Sequence, residues 1–184
     1  MRCSELLIRD HEIISRSLDV LEGMVRRMEE GKRIEIADIE SILKFLQVFA
    51  DDYHQTLEEH VLFPALLRAS TPDSPVHNMI LEHGEERTAV AGIANALKAK
   101  VGKKFVQNAR RLSVVLRSHF SREDAVVPEL VGQLLSEAED NAIVAEFDKR
   151  RPSSPLPDFR YLERKYVAAA PRREWLGVEA TTYS

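Results

Sequence analysis

The chain has 184 residues, 44% of them hydrophobic, with a net charge of -4 and a pI near 5.9. One substantial core fits that length, and the acidic balance argues against a nucleic-acid partner. A lone cysteine, Cys3, excludes an internal disulfide, MRCSELLIRD lacks the apolar run of a signal peptide, and no stretch approaches the roughly 18 apolar residues of a membrane span. A cytoplasmic protein with no membrane contact is expected.

Punctuation by glycine, proline and serine divides the chain into helices. Ser4 is read as the cap of a first helix ending near Gly31, and a second is predicted from about Ala37 to Ala69, with Pro64 loosening its last turn. Ser74-Pro75 supplies a cap and a first-turn proline for a third helix ending near Lys100. The fourth is expected from Gly102 to Pro128, and a short fifth from Ser136, whose spacing to Glu139 is that of a capping box. The predicted fold is all-α, an up-down-up-down four-helix bundle with a short fifth helix and a C-terminal extension. Residues 1–150 are assigned to the bundle and 151–184 to the extension.

The inward stripes follow from alternating three- and four-residue steps. They read Leu7, His11, Ile14, Leu18, Leu21, Val25 and Met28 on the first helix, and Leu43, Ala50, His54, Glu58, Val61 and Ala65 on the second. The third gives Val76, Met79 or Ile80, His83, Val90, Ile93 and Leu97, and the fourth Phe105, Ala109, Leu112, Leu116, His119, Glu123 and Val126. Each helix thus turns a histidine inward, and two add a glutamate four residues later. The segments YHQTLEEHVLFPAL and SHFSREDAVVPEL repeat the arrangement, as His54/Glu58/Pro64 and His119/Glu123/Pro128.

A lone histidine on such a stripe is more often a hydrogen-bonded core residue than a ligand. An ionised glutamate in an apolar core, however, is very costly unless paired or metal-bound. No lysine or arginine occupies the inward stripe of the first or fourth helix. At an i, i+4 spacing the two side chains project from one face and can converge. Four imidazoles and two carboxylates facing each other make a metal site suited to iron, zinc or manganese rather than calcium or copper(I).

The ordered set of His11, the H-x-x-x-E with L-F-P downstream, the Glu82-His83 pair, and H-x-x-x-E-D with a second proline resembles the hemerythrin-like (HHE cation-binding) family over residues 5–148. The resemblance implies a four-helix bundle holding a non-haem di-iron centre on His11, His54, Glu58, His83, His119 and Glu123. Four residues either side of His83 stand Met79 and Arg87, so the second histidine that oxygen-carrying hemerythrins place on this helix is absent. The resulting set is similar to that of bacterial relatives implicated in nitric oxide response and iron-centre repair.

If Glu58 and Glu123 bridge two irons together with an oxide or hydroxide, an exchangeable position remains for dioxygen, nitric oxide or peroxide. The expected function is binding or sensing of such a ligand. The alternatives are a di-iron enzyme acting on peroxide or dioxygen and an iron-handling or structural bundle. Against a ferritin-like enzyme, none of the six histidines has a glutamate three residues before it.

His60 and His77 lie six residues from their neighbouring inward histidines, roughly 240° around the helix, and are predicted to face solvent. Glu59 and Asp124 sit one step off the stripes and are kept as substitute ligands. Residues 149–184 hold eight Lys/Arg against four Asp/Glu, whereas the preceding 148 hold eighteen against twenty-six. This basic segment, with Phe159, Tyr161, Tyr166 and Trp175, is expected to fold back on its acidic bundle. The other reading is docking of a protein partner or a second copy of the chain.

Overall fold

A computed structural model describes residues 1–69, 71–152 and 157–167, and every element among them is helical. Helix α1 spans Arg2–Glu29. The second arm of the bundle is composite: α2 (Ile36–Phe45), π-helical stretches at Leu46–Gln55 and Glu58–Leu62, and α3 (Phe63–Ala69). Helices α4 (Val76–Lys98) and α5 (Gly102–Leu134) complete the four arms, followed by α6 (Glu137–Arg150) and α7 (Phe159–Tyr166). The α1 arm packs on α5 and on the composite arm, and α4 packs on those same two neighbours. This is the expected all-α bundle, and most of the predicted stripe residues are buried in its core.

The helix ends depart from expectation in three places. Ser4 lies inside α1, and its hydroxyl donates back to the Met1 carbonyl rather than capping the helix. The α1 N-terminus is capped from a distance: the buried Asp140 carboxylate on α6 accepts from the Arg2 and Cys3 N–H groups at 3.1 and 3.0 Å. Ser74 makes no side-chain cap either; Pro75 holds the N-cap position of α4. Nor does Pro128 end α5, which continues to Leu134, because packing of Val127 and Val131 in the core outweighs the single hydrogen bond proline removes. Other ends match their signals. Gly31 (φ 71°) closes α1 with Gly31 N–H to Met28 and Lys32 N–H to Arg27 carbonyls, the Schellman pattern that a left-handed residue allows. Ser136 and Glu139 form the capping box of α6.

After α6 the chain returns to the bundle through α7. Phe159, Leu162 and Tyr166 are buried, and α7 approaches α1 so closely that a Cβ at Gly23 would lie 2.3 Å from the Tyr166 carbonyl oxygen. The Tyr166 hydroxyl and Lys165 Nζ both donate to Asp38, at 2.5 and 2.7 Å, and Arg16 grips Glu163 through Nε at 2.7 Å. These contacts fix α7 against α1 and α2, whereas Trp175 lies outside the described residues. Tyr161 is not an anchor, being 41% exposed.

Candidate metal centre

Regular 3.6-residue periodicity carries His11, His119 and Glu123 into the core of α1 and α5, and His83 into that of α4. His54 and Glu58 come from the π-helical stretches, where the wider turn lets Tyr53, His54 and Gln55 be buried consecutively. All six side chains meet at one level of the bundle. No one of them is more than 2% exposed.

The ring Nε2 atoms all face the two carboxylates. His54 Nε2 lies 3.1 Å and His83 Nε2 3.3 Å from opposite oxygens of Glu58. His11 and His119 Nε2 lie 3.2 and 3.1 Å from the same Glu123 oxygen, and His83 and His119 Nε2 are 3.3 Å apart. Among the described residues, none of the four carboxylate oxygens accepts a hydrogen bond, nor do His11 and His54 Nε2 make one. The six residues fall into two overlapping groups, His11, His54, Glu58 and Glu123, and Glu58, His83 and His119, and within each group one candidate donor atom per residue lies within 4.8 Å of the others. Glu58 belongs to both. Buried donors aimed at a common point rather than at hydrogen-bond partners fit a cation, and a set of imidazoles and carboxylates fits a divalent or trivalent transition metal.

The outward ring nitrogens have partners of their own. His11 Nδ1 is 2.6 Å from Asp124, His83 Nδ1 2.7 Å from Glu59, and His119 Nδ1 2.9 Å from Glu82. Glu59 and Asp124 therefore serve the outer side of the imidazoles rather than the centre, because one step round the helix points them past the ring. An N–H at Nδ1 donated to a carboxylate fixes the tautomer and leaves the Nε2 lone pair for a metal. Arg87 and Arg122 in turn donate to Glu59 and Glu82, at 2.9 and 2.6 Å. Sequence reasoning missed Glu82 as a histidine partner and Asp10 altogether. Both adjoin a matched histidine in sequence, and that adjacency was the signal.

Without metal, the cluster balances its own charge. Burial pushes the His11 imidazole down, but Asp124, Glu123 and Glu58 outweigh it and hold it well above its usual range. Burial likewise opposes protonation of His83 and His119, while Glu58 raises the first and Glu123, Glu86 and Glu58 raise the second to about 10. Burial pushes Glu58 up, yet His54, His11 and His83 hold it well below the carboxylate range. For Glu123, burial and the nearby Glu58 charge both raise it, and His11 and His119 prevail in lowering it. Each imidazolium is thus a proton that a metal would displace.

Phe120 stacks on His11 with ring centroids 4.1 Å apart and Phe63 lies parallel to His83 at 5.9 Å, while Leu7 and Ile14, one turn either side of His11, and Leu116, one turn before His119, are buried. His60 and His77 are exposed, as their helical phase predicts.

The hemerythrin HHE cation binding domain family model matches residues 4–131, which contain all six converging residues. The chain belongs to this family. An HHE domain is a metal-binding domain, commonly for iron, and the buried cluster of histidines and glutamates fits that role. Uncharacterized proteins of Mycobacterium bovis and Mycobacterium tuberculosis are 24% identical over 152 residues, covering 78% of this chain and 59% of their own length. The chain therefore spans about three fifths of the curated relatives it matches. No solved structure matches it. Among the described residues, no helix is long and apolar enough to cross a membrane.

Proposed function

We propose that this HHE domain is a non-haem di-iron protein that binds or senses dioxygen, nitric oxide or a related small oxidant. The observation that carries the reading is Glu58. Wholly buried, it turns one oxygen toward His54 and the other toward His83, so a single carboxylate joins the two groups of donors. His11 and His54 would hold one iron and His83 and His119 the other, with Glu58 and Glu123 bridging and an oxide or hydroxide completing the bridge. The irons supply a reversible change of oxidation state and an exchangeable coordination position for a small ligand.

The chain's residues supply the conditions for that chemistry. Asp124, Glu59 and Glu82 orient three of the imidazoles through Nδ1. The apolar wall of Leu7, Ile14, Phe63, Leu116 and Phe120 keeps bulk water out and admits neutral diatomic molecules. A cavity of about 190 Å³ lies behind this wall, between the first π-helical stretch, α4 and α5, lined by Leu112, Leu116, Gln55 and Glu86 among others. Burial pushes the Glu86 carboxyl up, and although His119 and His83 oppose this it stays raised at about 7.

Zinc or manganese would occupy the same donors without serving the proposed role equally. The test is elemental analysis of the purified protein, followed by optical spectra of the reduced protein exposed to oxygen and to nitric oxide, with peroxide turnover assayed alongside. Two irons and ligand-dependent spectra without turnover support binding or sensing. Rapid turnover of peroxide would instead mark an enzyme, and two irons with unchanged spectra a storage or structural role.

A further inference from the structure

Three of the four converging imidazoles hand their Nδ1 hydrogen to a carboxylate at 2.6 to 2.9 Å. His54 does not. Among the described residues its Nδ1 makes no hydrogen bond, and the Asp10 Oδ2 carboxylate oxygen stands 3.9 Å away. Asp10 is itself wholly buried, and a buried carboxylate requires a compensating cation. It obtains one from Arg151, whose Nη2 donates to Asp10 Oδ1 at 2.8 Å. Arg151 follows the last residue of α6, well past the family match, and its guanidinium lies over the rings of Tyr53 and Phe49 at 5.4 and 5.9 Å from their centroids.

We propose that Arg151 is a positioning residue for the centre, acting through Asp10 on His54, so that chain beyond the family match completes the site. The inference rests on the reading above in one respect, that His54 offers Nε2 inward.

Three polar atoms meet here without partners: Asp10 Oδ2, His54 Nδ1 and the Tyr53 hydroxyl, on residues exposed by 3% or less. An imidazole N–H and a phenol are donors, and one carboxylate oxygen has lone pairs for both. The groups are complementary, and they are held short of closing. Arg151 pulls on the other oxygen of the same carboxylate. Its grip sets how strongly Asp10 draws on the His54 N–H, and through the ring how basic Nε2 becomes. His83 and His119 have closed relays of the same kind, Arg87 through Glu59 and Arg122 through Glu82, and only at His54 does the carboxylate stand short of the ring. The centre is therefore asymmetric, with one imidazole adjustable from α6.

The test is ¹⁵N NMR of the histidine rings in the metal-free full chain, together with iron affinity. Arg151→Ala is expected to shift both His54 ring nitrogens, leave those of His83 in place, and weaken iron binding by about 10–100-fold, the usual effect of losing an outer-sphere partner. Arg151→Lys should recover part of the shift. Asp10→Asn, which keeps the shape without the charge, should move His54 even if Arg151→Ala folds poorly. Arg16→Ala is the control, because it frees Glu163 on α7 without touching Asp10. Unchanged His54 resonances in Arg151→Ala and Asp10→Asn, or an equal shift in Arg16→Ala, would overturn the proposal. A wild-type protein that takes up no iron would sink the di-iron function, while the NMR comparison would still decide the role of Arg151.

Discussion

The two H-x-x-x-E segments are near copies in sequence and differ in backbone. His119 and Glu123 ride on regular α5, where the flanking Arg117, Ser118, Ser121 and Arg122 are exposed and the buried face is narrow. His54 and Glu58 ride on π-helical turns, where Tyr53 to Gln55, Leu57 and Glu58 are all buried. The cause lies outside each segment. Ser118 and Arg122 face solvent, whereas the outer side of the composite arm is covered by Phe147 and Arg151 from the C-terminal part of the chain. A spacing motif fixes which donors can converge. What covers the helix decides how wide the buried face must be.

The largest expected difference between the copies is in metal retention. Glu58 turns separate oxygens to His54 and His83, whereas His11 and His119 share one oxygen of Glu123, so Glu58→Ala should empty both metal positions together, and Glu123→Ala should weaken both as well but by less. Metal-to-protein ratios across a dialysis series would show it. Equal retention of both metals by both variants would break the comparison.

Proton competition gives the next effect. His11, His83 and His119 have raised pKa values in the folded metal-free protein, so their contribution to stability is complete below the unfolded value near 6.5 and is lost as pH rises toward about 10, the value reached by His119. Glu58 and Glu123 are lowered, so theirs is present above the unfolded value near 4.3 and lost as pH falls through the folded values. Melting temperatures of metal-free protein should peak at mildly acidic pH and fall on the alkaline side, while iron affinity should rise with pH over that same range. A metal-free protein most stable near pH 9 would contradict the charge balance inside the cluster.

Smaller, and purely a matter of backbone, is the contrast between the two prolines. Pro128 interrupts α5 from within, so Pro128→Ala should restore a helical hydrogen bond and stabilise the fold by roughly 1–3 kcal/mol. Pro64 follows directly on the second π-helical stretch, whose wider turn already departs from the regular hydrogen-bond ladder, so the missing N–H costs less there. Pro64→Ala should change stability by less than about 0.5 kcal/mol. Urea denaturation of both variants would reveal a reversed order if the wide turns were not what accommodates Pro64. Smallest of all should be His60→Ala and His77→Ala, whose exposed rings lie off the centre; both should keep full metal content and stay within about 0.5 kcal/mol of the parent.

Much of this was legible in the sequence, because a buried stripe is a periodic signal and six polar residues broke it at matching heights. The inward positions of His11, His54, Glu58, His83, His119 and Glu123 needed only the helical period. Less legible were features set by partners distant along the chain. Ser4 looked like a cap, yet Asp140 caps α1 from 136 residues away in sequence, measured from Ser4. Pro128 looked like a stop, yet Val127 and Val131 hold α5 together around it. The π-helical widening has no periodic signature, since the same His54-to-Glu58 spacing reads equally well on a regular helix. Arg151 and Asp10 could not be paired without knowing that α6 returns across α1.

The central claim is that one buried set of four histidines and two glutamates holds two irons. Its most direct test is X-ray absorption at the iron edge on protein loaded with iron and stripped of excess metal, with iron counted per chain. The account predicts two irons per chain, each bound by nitrogen and oxygen donors, with an iron–iron vector of roughly 3.5–4 Å, the usual separation in two-metal sites. A single iron with no such vector, or protein that binds only one zinc, would contradict it.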